Sequence, residues 1–339
     1  MGYLETRSDG AGELRQLQKA LGWPGTLVAN LGLTSWGRSG VRNFLGYFVL
    51  GMRVRRQRKT LILIHNLIEA LDTETVGYPV SGFTRWGAHR AVAFLRGATV
   101  VSFSVKVGDL LKTAYRTQPA LVTPIPCPPV RDPGSPRDDP PRVITPGYLS
   151  PYKGHEQLPS IRPLVVGEAK FTVVGGVHRV LAENDPTYRR NLDDLQKRLI
   201  DSGVEVRGWV SDPELNDLLG RSSVALLPYS STQGGSAMFS RIASAGLPVV
   251  ATDLPEFRWL ESRGAGVLCV PRSPQGYAEG VSRLLSDRAL HRQLVERQKA
   301  FAQAHSWEAF LGALRALGEL DRVGRNDASR NGAIRSIGT

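Results

Sequence analysis

A glycine-bearing loop between a predicted strand and a predicted helix has residues that could bind phosphate. An apolar run typical of a buried strand, Val224–Leu227, is followed by a polar loop with Gly234, Gly235 and Ser236, and a helix is predicted at 237–245. Glycines let the backbone approach a ligand closely, and the first N–H groups of a helix point towards an anion. An ordinary strand-to-helix turn has the same residue types, so phosphate binding is a hypothesis at this point.

A histidine at the end of another predicted strand could also face a ligand. The β-rich run 60–64 leads directly into His65 and Asn66. In open α/β sheets, ligands bind at the carboxyl ends of the strands. A single histidine at a strand end is more often structural than catalytic, so its position alone leaves both roles open.

A basic helix is the third feature with chemical potential. The segment 41–59 is predicted to be helical with an apolar face, and its C-terminal end carries Arg53, Arg55, Arg56, Arg58 and Lys59. Cations at that end interact favourably with the helix dipole, which is an explanation that needs no ligand. The functional alternative is an amphipathic helix whose arginines face an anionic membrane surface.

The composition is that of a globular protein with an excess of positive charge. The 339 residues have a hydrophobic fraction of 41% and a net charge of +12, from 43 Lys and Arg against 31 Asp and Glu. Such a charge favours anionic partners, although an arginine-rich composition can also reflect the source genome. No nucleic-acid recognition motif accompanies the charge, so we expect no nucleic acid among the partners.

The cysteines and the N-terminal region bear on the compartment. Cys127 and Cys269 are far apart and match no metal-binding or redox spacing, which predicts no metal site and fits a reducing environment. There is no signal-peptide pattern, and the apolar run 44–52 is about half as long as a membrane span. We therefore expect a cytoplasmic protein, with peripheral association at the inner face of the membrane as the alternative.

Strands alternate with helices in two parts of the chain, which predicts an α/β fold of two doubly wound, Rossmann-like domains facing a cleft. Eight of the nineteen residues 124–142 are proline, a density that excludes a helix or a central strand. The predicted divisions are an N-terminal domain of reduced size (1–128), a proline-rich linker (129–142), a C-terminal domain (143–320) and a disordered tail (321–339). Asp138 and Asp139 in the linker are interpreted as solvated charges.

The predicted elements follow from apolar periodicity and from capping residues. Strands are predicted at 26–31, 60–64, 98–103, 121–125, 143–145, 171–174, 204–207, 224–227, 248–252 and 266–270. Helices are predicted at 13–21, 41–59, 86–95, 110–115, 188–202, 212–219 (with Asp212 as the N-cap), 237–245, 274–285, 287–304 and 307–320. The last helix is expected to pack back on the N-terminal domain.

Six short motifs in the second part of the chain resemble the nucleotide-sugar domain of family-4 glycosyltransferases. They are G-Y-L-S-P-Y-K-G (147–154), F-T-V-V-G-G (171–176), V-E-V-R-G-W-V-S-D-P-E-L (204–215), V-A-L-L-P-Y (224–229), G-L-P-V-V-A-T-D (246–253) and H-S-W-E-A-F (305–310). In the first part, L-I-L-I-H-N (61–66) and V-V-S-F-S (100–104) are similar to two strand ends of the same family. The resemblance implies the GT-B fold.

The resemblance also implies a reaction and a set of site residues. The reaction would move a sugar from a nucleotide-diphosphate sugar, with UDP or GDP as the nucleotide, to a glycan or lipid-linked acceptor, with retention and without a metal or cofactor. A lysine at the position of Lys153 would stabilise the leaving diphosphate, His65 would face the donor sugar, and the loop 207–211 would hold the base. The implied catalytic residues are His65 and Lys153; the implied donor site consists of Gly147, Tyr148, Lys153, Gly175, Gly176, Arg207, Trp209, Gln233, Gly234, Gly235, Ser236 and Arg241.

The chain departs from the family pattern at three places. Tyr148 stands where the family usually has an arginine, and Gln233 and Arg241 stand where it usually has two glutamates eight residues apart. Some bacterial exopolysaccharide enzymes of the family are similar at these positions. Gln233 can still hydrogen-bond sugar hydroxyls, and the charge of Arg241 could compensate for the arginine missing at Tyr148. The family's first strand should precede Thr26, where no strand is predicted. A catalytically inactive relative that binds nucleotide or sugar as a partner protein is the alternative.

Overall fold

Two parallel β-sheets form the framework of the residues that the computed structural model describes, which are 2–4, 27–31, 40–56, 60–67, 82–130, 138–177 and 186–327. The first sheet has the order β1-β2-β3-β4-β5, with strands Gly2–Leu4, Leu27–Leu31, Thr60–Ile64, Thr99–Ser102 and Leu121–Val122. The second has the order β11-β10-β9-β6-β7-β8, where β6 to β11 are Arg142–Pro146, Lys170–Val174, Glu205–Val206, Val224–Leu227, Val249–Thr252 and Val267–Val270. These sheets define an N-terminal half and a C-terminal half.

Helices connect the strands in both halves. In the N-terminal half they are α1 (Gly40–Arg55), α2 (Gly82–Ala93) and α3 (Val105–Thr113). In the C-terminal half they are α4 (Leu158–Ile161), α5 (Pro186–Asp201), α6 (Asp212–Arg221), α7 (Ala237–Ser244), α8 (Pro255–Ser262), α9 (Pro274–Ser286), α10 (Arg288–Ala304) and α11 (Trp307–Asp327). None of these described helices is long and apolar enough to cross a lipid bilayer.

The strand order of the second sheet creates a topological switch point between β6 and β9. From β6 the chain moves outwards through β7 and β8, whereas β9, β10 and β11 lie on the other side. The connections therefore leave β6 and β9 in opposite directions, and a crevice opens at the carboxyl ends of the two strands. The segments that follow these strands, 147–154 and 228–236, contain most of the residues that the sequence singles out.

The last helix links the two halves through apolar packing. Every residue of β9 and of β10 is buried, as expected for parallel strands that helices cover on both faces. Phe310 and Leu314 of α11, the last helix of the C-terminal half, pack instead against Leu61, Leu63 and Val101 of the first sheet. The C-terminal end of the chain thus contributes to the core of the N-terminal half.

The predicted α/β class with two parallel, Rossmann-like sheets is confirmed; the described strands of the first sheet follow chain order, so the doubly wound order is seen in the second sheet. The short strand Gly2–Leu4 pairs in parallel with β2, although no strand was predicted before residue 26. A strand of three residues is too short to show a period-two pattern in the sequence. The last helix continues to Asp327, into the stretch predicted to be a disordered tail. The helix predicted at 13–21 lies outside the described residues.

Two serine caps shift the helix boundaries. Helix α3 begins at Val105 rather than 110, because Ser104 is its N-cap and its Oγ accepts a hydrogen bond from the N–H of Val107 at 3.4 Å. Helix α6 is capped by Ser211, whose Oγ accepts from the N–H of Glu214 at 3.3 Å, and not by Asp212 as predicted. In both cases a serine earlier in the sequence supplies the hydroxyl oxygen that accepts a hydrogen bond from a backbone N–H group of the first turn.

Asp138 anchors the connection between the halves. Its side chain is only 4% exposed and accepts from Arg142 Nε at 2.6 Å and from Arg221 NH2 at 2.7 Å. Burial disfavours its ionised form, but hydrogen bonds and charge from the two arginines outweigh burial, so the pKa of Asp138 lies below its ordinary value. The prediction that Asp138 is a solvated linker charge is therefore wrong.

Asp138→Ala should lower the free energy of unfolding by about 2 kcal/mol at pH 7, because two arginines lose a buried acceptor. Since the folded-state pKa is lowered, the contribution is present above the ordinary value of 3.8 and disappears as the pH falls through the folded-state pKa. Urea unfolding at pH 7 and pH 3 measures the difference. Asp139→Ala, at the exposed neighbouring position, is the control. An equal loss of unfolding free energy in both variants would contradict the anchoring role of Asp138.

Candidate functional site

A cleft of about 430 Å³ lies at the carboxyl ends of both sheets. Its wall from the N-terminal half includes His65 and Phe103, and its wall from the C-terminal half includes the segments after β6 and β9. The implied site residues that line it are His65, Gly147, Tyr148, Lys153, Gly175, Trp209, Gln233, Gly234, Gly235, Ser236 and Arg241. The fold therefore brings together residues that are far apart in sequence at the place where α/β folds bind ligands.

Lys153 provides a buried positive charge on the cleft wall. Its side chain is on a 3₁₀ turn, Pro151–Lys153, and the residue is only 6% exposed. Its Nζ donates a hydrogen bond to Tyr229 Oη at 2.9 Å and lies 5.1 Å and 4.7 Å from the ring centroids of Tyr148 and Tyr229. Aromatic faces stabilise an ammonium without neutralising it. Among the described carboxylates, none forms an ion pair with Lys153.

Gly147 leaves room for the ammonium of Lys153. The backbone of Gly147 has φ +123, which disfavours a side chain, and a Cβ there would lie 2.8 Å from Lys153 Nζ. The neighbouring Tyr148 shares a hydrogen bond of 2.8 Å with Tyr152 through their hydroxyls. Burial raises the pKa of Tyr152 well above its ordinary range, so its hydroxyl keeps its proton. Tyrosine side chains thus form the wall around Lys153.

The glycines of the loop after β9 pack against the N-terminal half. A Cβ at Gly234, whose φ is +141, would collide with the carbonyl oxygen of His65, and a Cβ at Gly235 would collide with the carbonyl oxygen of Phe103. Ser236 is the N-cap of α7, and its Oγ accepts from the N–H of Phe239 at 3.1 Å. The sequence suggested that these glycines serve a bound phosphate, which stays a prediction; the structure shows that they allow the halves to meet.

His65 is half-buried and stacks on Phe103, with 4.7 Å between the ring centroids. Burial lowers the pKa of the imidazole below its ordinary value of 6.5, so the ring is neutral at neutral pH. Gln233 lies on the opposite wall, and its Nε2 donates to Ser231 Oγ at 3.4 Å. The two side chains present neutral hydrogen-bonding groups from the two halves of the protein.

The loop 207–211 contributes a tryptophan and not an arginine to the cleft. The indole of Trp209 is 60% exposed, packs against Gly176 and donates from Nε1 to the carbonyl oxygen of Val177 at 3.2 Å. Arg207 points away from the cleft. Its guanidinium is held by Glu205 and Glu214, each at 3.0 Å.

Arg207 and Gly176 are therefore not part of the cleft lining, contrary to the prediction. Arg207 is withdrawn by its two carboxylate partners. Gly176 acts beneath the indole, where only a residue without a side chain leaves room for the ring.

Two carboxylates on the cleft were missed by sequence reasoning. Asp212 accepts from Arg241 NH2 at 2.7 Å, so the charge of Arg241 is already shared with a carboxylate. Glu256 is buried and accepts from Ser104 Oγ at 2.7 Å. Asp212 lies within the motif 204–215 but was predicted only as a helix cap, and Glu256 lies in none of the six motifs. No group of three or more His, Cys, Asp or Glu side chains suited to a metal ion occurs within the described residues.

The arginines predicted to face a membrane do not share one environment. Arg53 is only 1% exposed, because it lies on the same side of α1 as the buried Leu50, so its predicted membrane contact is wrong. Arg55 and Arg56 are exposed. Arg58 lies outside the described residues.

One protein family matches part of the C-terminal half. Residues 140–287 match the family model described as Glycosyl transferases group 1. The match covers most of the C-terminal half, and its description agrees with the predicted enzyme class. No curated protein sequence matches the chain significantly.

Solved glycosyltransferase structures share the fold over most of the chain. Sucrose-phosphate synthase from Thermosynechococcus elongatus has a TM-score of 0.65 at 19% identity, over 92% of this chain and 77% of that one. HepE of Anabaena in complex with UDP and glucose has a TM-score of 0.65 at 13% identity, over 90% and 81%. A glycosyltransferase from Rickettsia africae has a TM-score of 0.60 at 14% identity, over 94% and 96%. At such low identity the similarity shows the GT-B fold.

Gly234→Ala should open the contact between the halves, because the new methyl group collides with the carbonyl oxygen of His65. Gly264→Ala is the matched control, since Gly264 also has positive φ (+92) but faces open space. We expect both variants to lose about 1 kcal/mol to backbone strain and Gly234→Ala to lose at least as much again, measured by urea unfolding. Equal losses would contradict the proposed close contact.

Proposed function

We propose that this glycosyltransferase moves a sugar from a nucleotide-diphosphate sugar to a glycan or glycolipid acceptor, with retention at the sugar carbon and without a metal ion. The proposal rests on the position and surroundings of Lys153. Its buried ammonium lies at the topological switch point among tyrosines and is paired with none of the described carboxylates. An anionic ligand in the cleft is the partner that such a charge favours.

Lys153 is suited to stabilise the leaving nucleotide. When the bond between the sugar and the diphosphate breaks, negative charge develops on the diphosphate, and a pre-positioned ammonium in a water-poor wall lowers the energy of that state. The first N–H groups of α7, beginning at Ala237, lie on the same cleft and add donors for the phosphate oxygens. Protein cations and backbone dipoles would supply the charge that a metal ion supplies elsewhere.

Trp209 and Asp212 fit the nucleoside part of the donor. The exposed indole offers a face on which a base can stack, and stacking of this kind tolerates different bases. Asp212, oriented by Arg241, presents a carboxylate that can accept hydrogen bonds from ribose hydroxyls. HepE, which shares the fold, was solved with UDP and glucose, and this favours UDP as the first nucleotide to test.

His65 and Gln233 fit the sugar. Both are neutral at physiological pH by the argument above, and both carry hydrogen-bonding atoms that suit hydroxyl groups. His65 comes from the N-terminal half, which in this arrangement also forms the acceptor side of the cleft. The transferred sugar would therefore lie between the two halves.

The outer face of α1 fits a membrane surface that carries a lipid-linked acceptor. Leu45 and Phe48 are exposed, and Arg55 and Arg56 follow near the end of the same helix. Exposed apolar side chains beside arginines are the pattern of a helix that lies in the interface of an anionic bilayer. We propose that this face holds the protein peripherally at such a surface.

Lys153→Ala should abolish the thermal stabilisation that UDP gives to the protein, because a ligand that binds the folded state raises the melting temperature. Loss of a buried charge-assisted contact corresponds to at least a tenfold weaker affinity. Differential scanning fluorimetry with UDP and GDP is the measurement, and Lys197→Ala, at an exposed position on α5, is the control. Stabilisation of Lys153→Ala by UDP as strong as that of the wild type would refute the diphosphate role. Nucleotide binding without any sugar transfer would favour the inactive relative.

Replacing Arg55 and Arg56 with Gln should release the protein from anionic vesicles, since each arginine near the surface contributes about 1 kcal/mol to binding. Sedimentation with vesicles of phosphatidylglycerol and phosphatidylcholine measures the bound fraction. The exposed pair Arg189 and Arg190 on α5, replaced in the same way, controls for net charge. Equal release by both pairs would mean that only total charge matters.

A further inference from the structure

A single carboxylate of the C-terminal half is inserted at the start of a helix of the N-terminal half. Glu256, in the first turn of α8, is only 4% exposed. It accepts from Ser104 Oγ at 2.7 Å, and the nearby backbone N–H groups of Val105 and Lys106 also favour its ionised form. Ser104 is the N-cap of α3, so the carboxylate lies where that helix carries its partial positive charge. This contact joins the halves beside the cleft that Glu256 also lines.

Two further contacts surround the same junction. Lys106 Nζ donates to the carbonyl oxygen of Thr232 at 2.9 Å, so the first turn of α3 also holds the loop after β9. Gly234 and Gly235 of that loop pack directly against the strand ends of the N-terminal half. The position of the glycine loop relative to His65 therefore depends on how α3 is fixed to the C-terminal half.

We propose that Glu256 is a positioning residue that closes the cleft: by docking on the N-terminus of α3, it sets the distance between His65 and the donor-binding loop. Its effect on turnover rests on the function proposed above, whereas its effect on closure does not. Glu256 acts through Ser104 and Lys106.

The position of Glu256 makes closure depend on pH. Burial raises the pKa of Glu256 from 4.5 to about 7, although hydrogen bonds from Ser104 and the α3 backbone, and the charge of Lys106, act in the opposite direction. When the halves separate, the carboxylate meets water and its pKa returns towards the ordinary value. The closed form thus holds the proton more tightly, so the extra stability of closure is complete below pH 4.5 and is lost as the pH rises through about 7.

Among the charged groups around this contact, Glu256 is the one whose protonation we expect to change when the cleft closes. The charge of Lys106 on α3 favours the ionised form of Glu256, and its Nζ is hydrogen-bonded to the carbonyl oxygen of Thr232. On α8 itself, Arg258 is paired with Asp253 and Glu261 on the exposed face. His65, across the cleft, has a pKa lowered by burial and is neutral above its ordinary value of 6.5.

Hydrogen exchange of the first turn of α3 tests closure directly, because Glu256 protects the amides of Val105 and Lys106. After correction for intrinsic exchange rates, protection in the wild type should fall about tenfold between pH 6 and pH 8. Glu256→Gln keeps a hydrogen-bonding side chain but cannot ionise, so its protection should be flat over this range. Glu256→Ala should be unprotected throughout, and Glu296→Gln, at an exposed position on α10, should follow the wild type. A wild-type pH trend in Glu256→Gln, or full protection in Glu256→Ala, would overturn the proposal.

Kinetics then separate positioning from a general loss of structure. With UDP-sugar as donor, kcat of the wild type should fall as the pH rises above 7, and kcat of Glu256→Gln should not. The affinity for UDP should stay within about threefold, because Lys153 is untouched, and the unfolding midpoint of Glu256→Gln should match that of the wild type at pH 6. A loss of kcat that is equal at every pH would assign Glu256 a purely structural role. The protein could also show the pH trend in hydrogen exchange in the wild type, and none in Glu256→Gln, while it neither binds nor turns over a donor. In that case the proposed function fails and closure by Glu256 stands.

Discussion

The close approach of the two halves at Gly234 and Gly235 is the constraint on which the rest of the site depends. Carbonyl oxygens of His65 and Phe103 occupy the space in which side chains at these positions would lie. Only a chain without side chains at these points lets the loop after β9 touch the strand ends of the other sheet. His65 can then lie on the same cleft as Lys153, which comes from a different segment and a different sheet.

Within that frame, the electrostatics of the site follow from how Lys153 is surrounded. The faces of Tyr148, Tyr152 and Tyr229 surround Lys153 Nζ, and the hydroxyl of Tyr229 accepts a hydrogen bond from it. None of the described carboxylates forms an ion pair with Lys153, so these aromatic contacts leave its charge available to a ligand in the cleft. Tyr148, which departs from the family pattern, contributes one of these faces.

The strands could be predicted from the sequence because apolar runs are local patterns. The glycine loop after Leu227 and the strand end at His65 pointed to a ligand site, whereas Gly147, Lys153 and Trp209 were implied by the family resemblance. The pairings of long side chains could not be predicted, because they depend on which elements become neighbours. Arg207 is turned away by Glu205 and Glu214, and Arg53 is buried by the rotation of α1. Glu256 meets Ser104 across 152 positions of sequence.

Asp212 and Glu256 also bear on whether the site can function with Gln233 and Arg241 at the positions where the family usually has glutamates. Gln233 and Arg241 remove two negative charges from a cleft that would receive a diphosphate. Asp212 supplies one negative charge at the rim of the cleft, where it forms an ion pair with Arg241. The pair can therefore orient a hydroxyl without adding net charge next to the phosphates. Glu256 lies deeper, and its raised pKa keeps much of its charge suppressed near neutral pH. The cleft thus combines hydrogen-bond acceptors with the cation of Lys153, an arrangement that fits the proposed sugar-nucleotide donor.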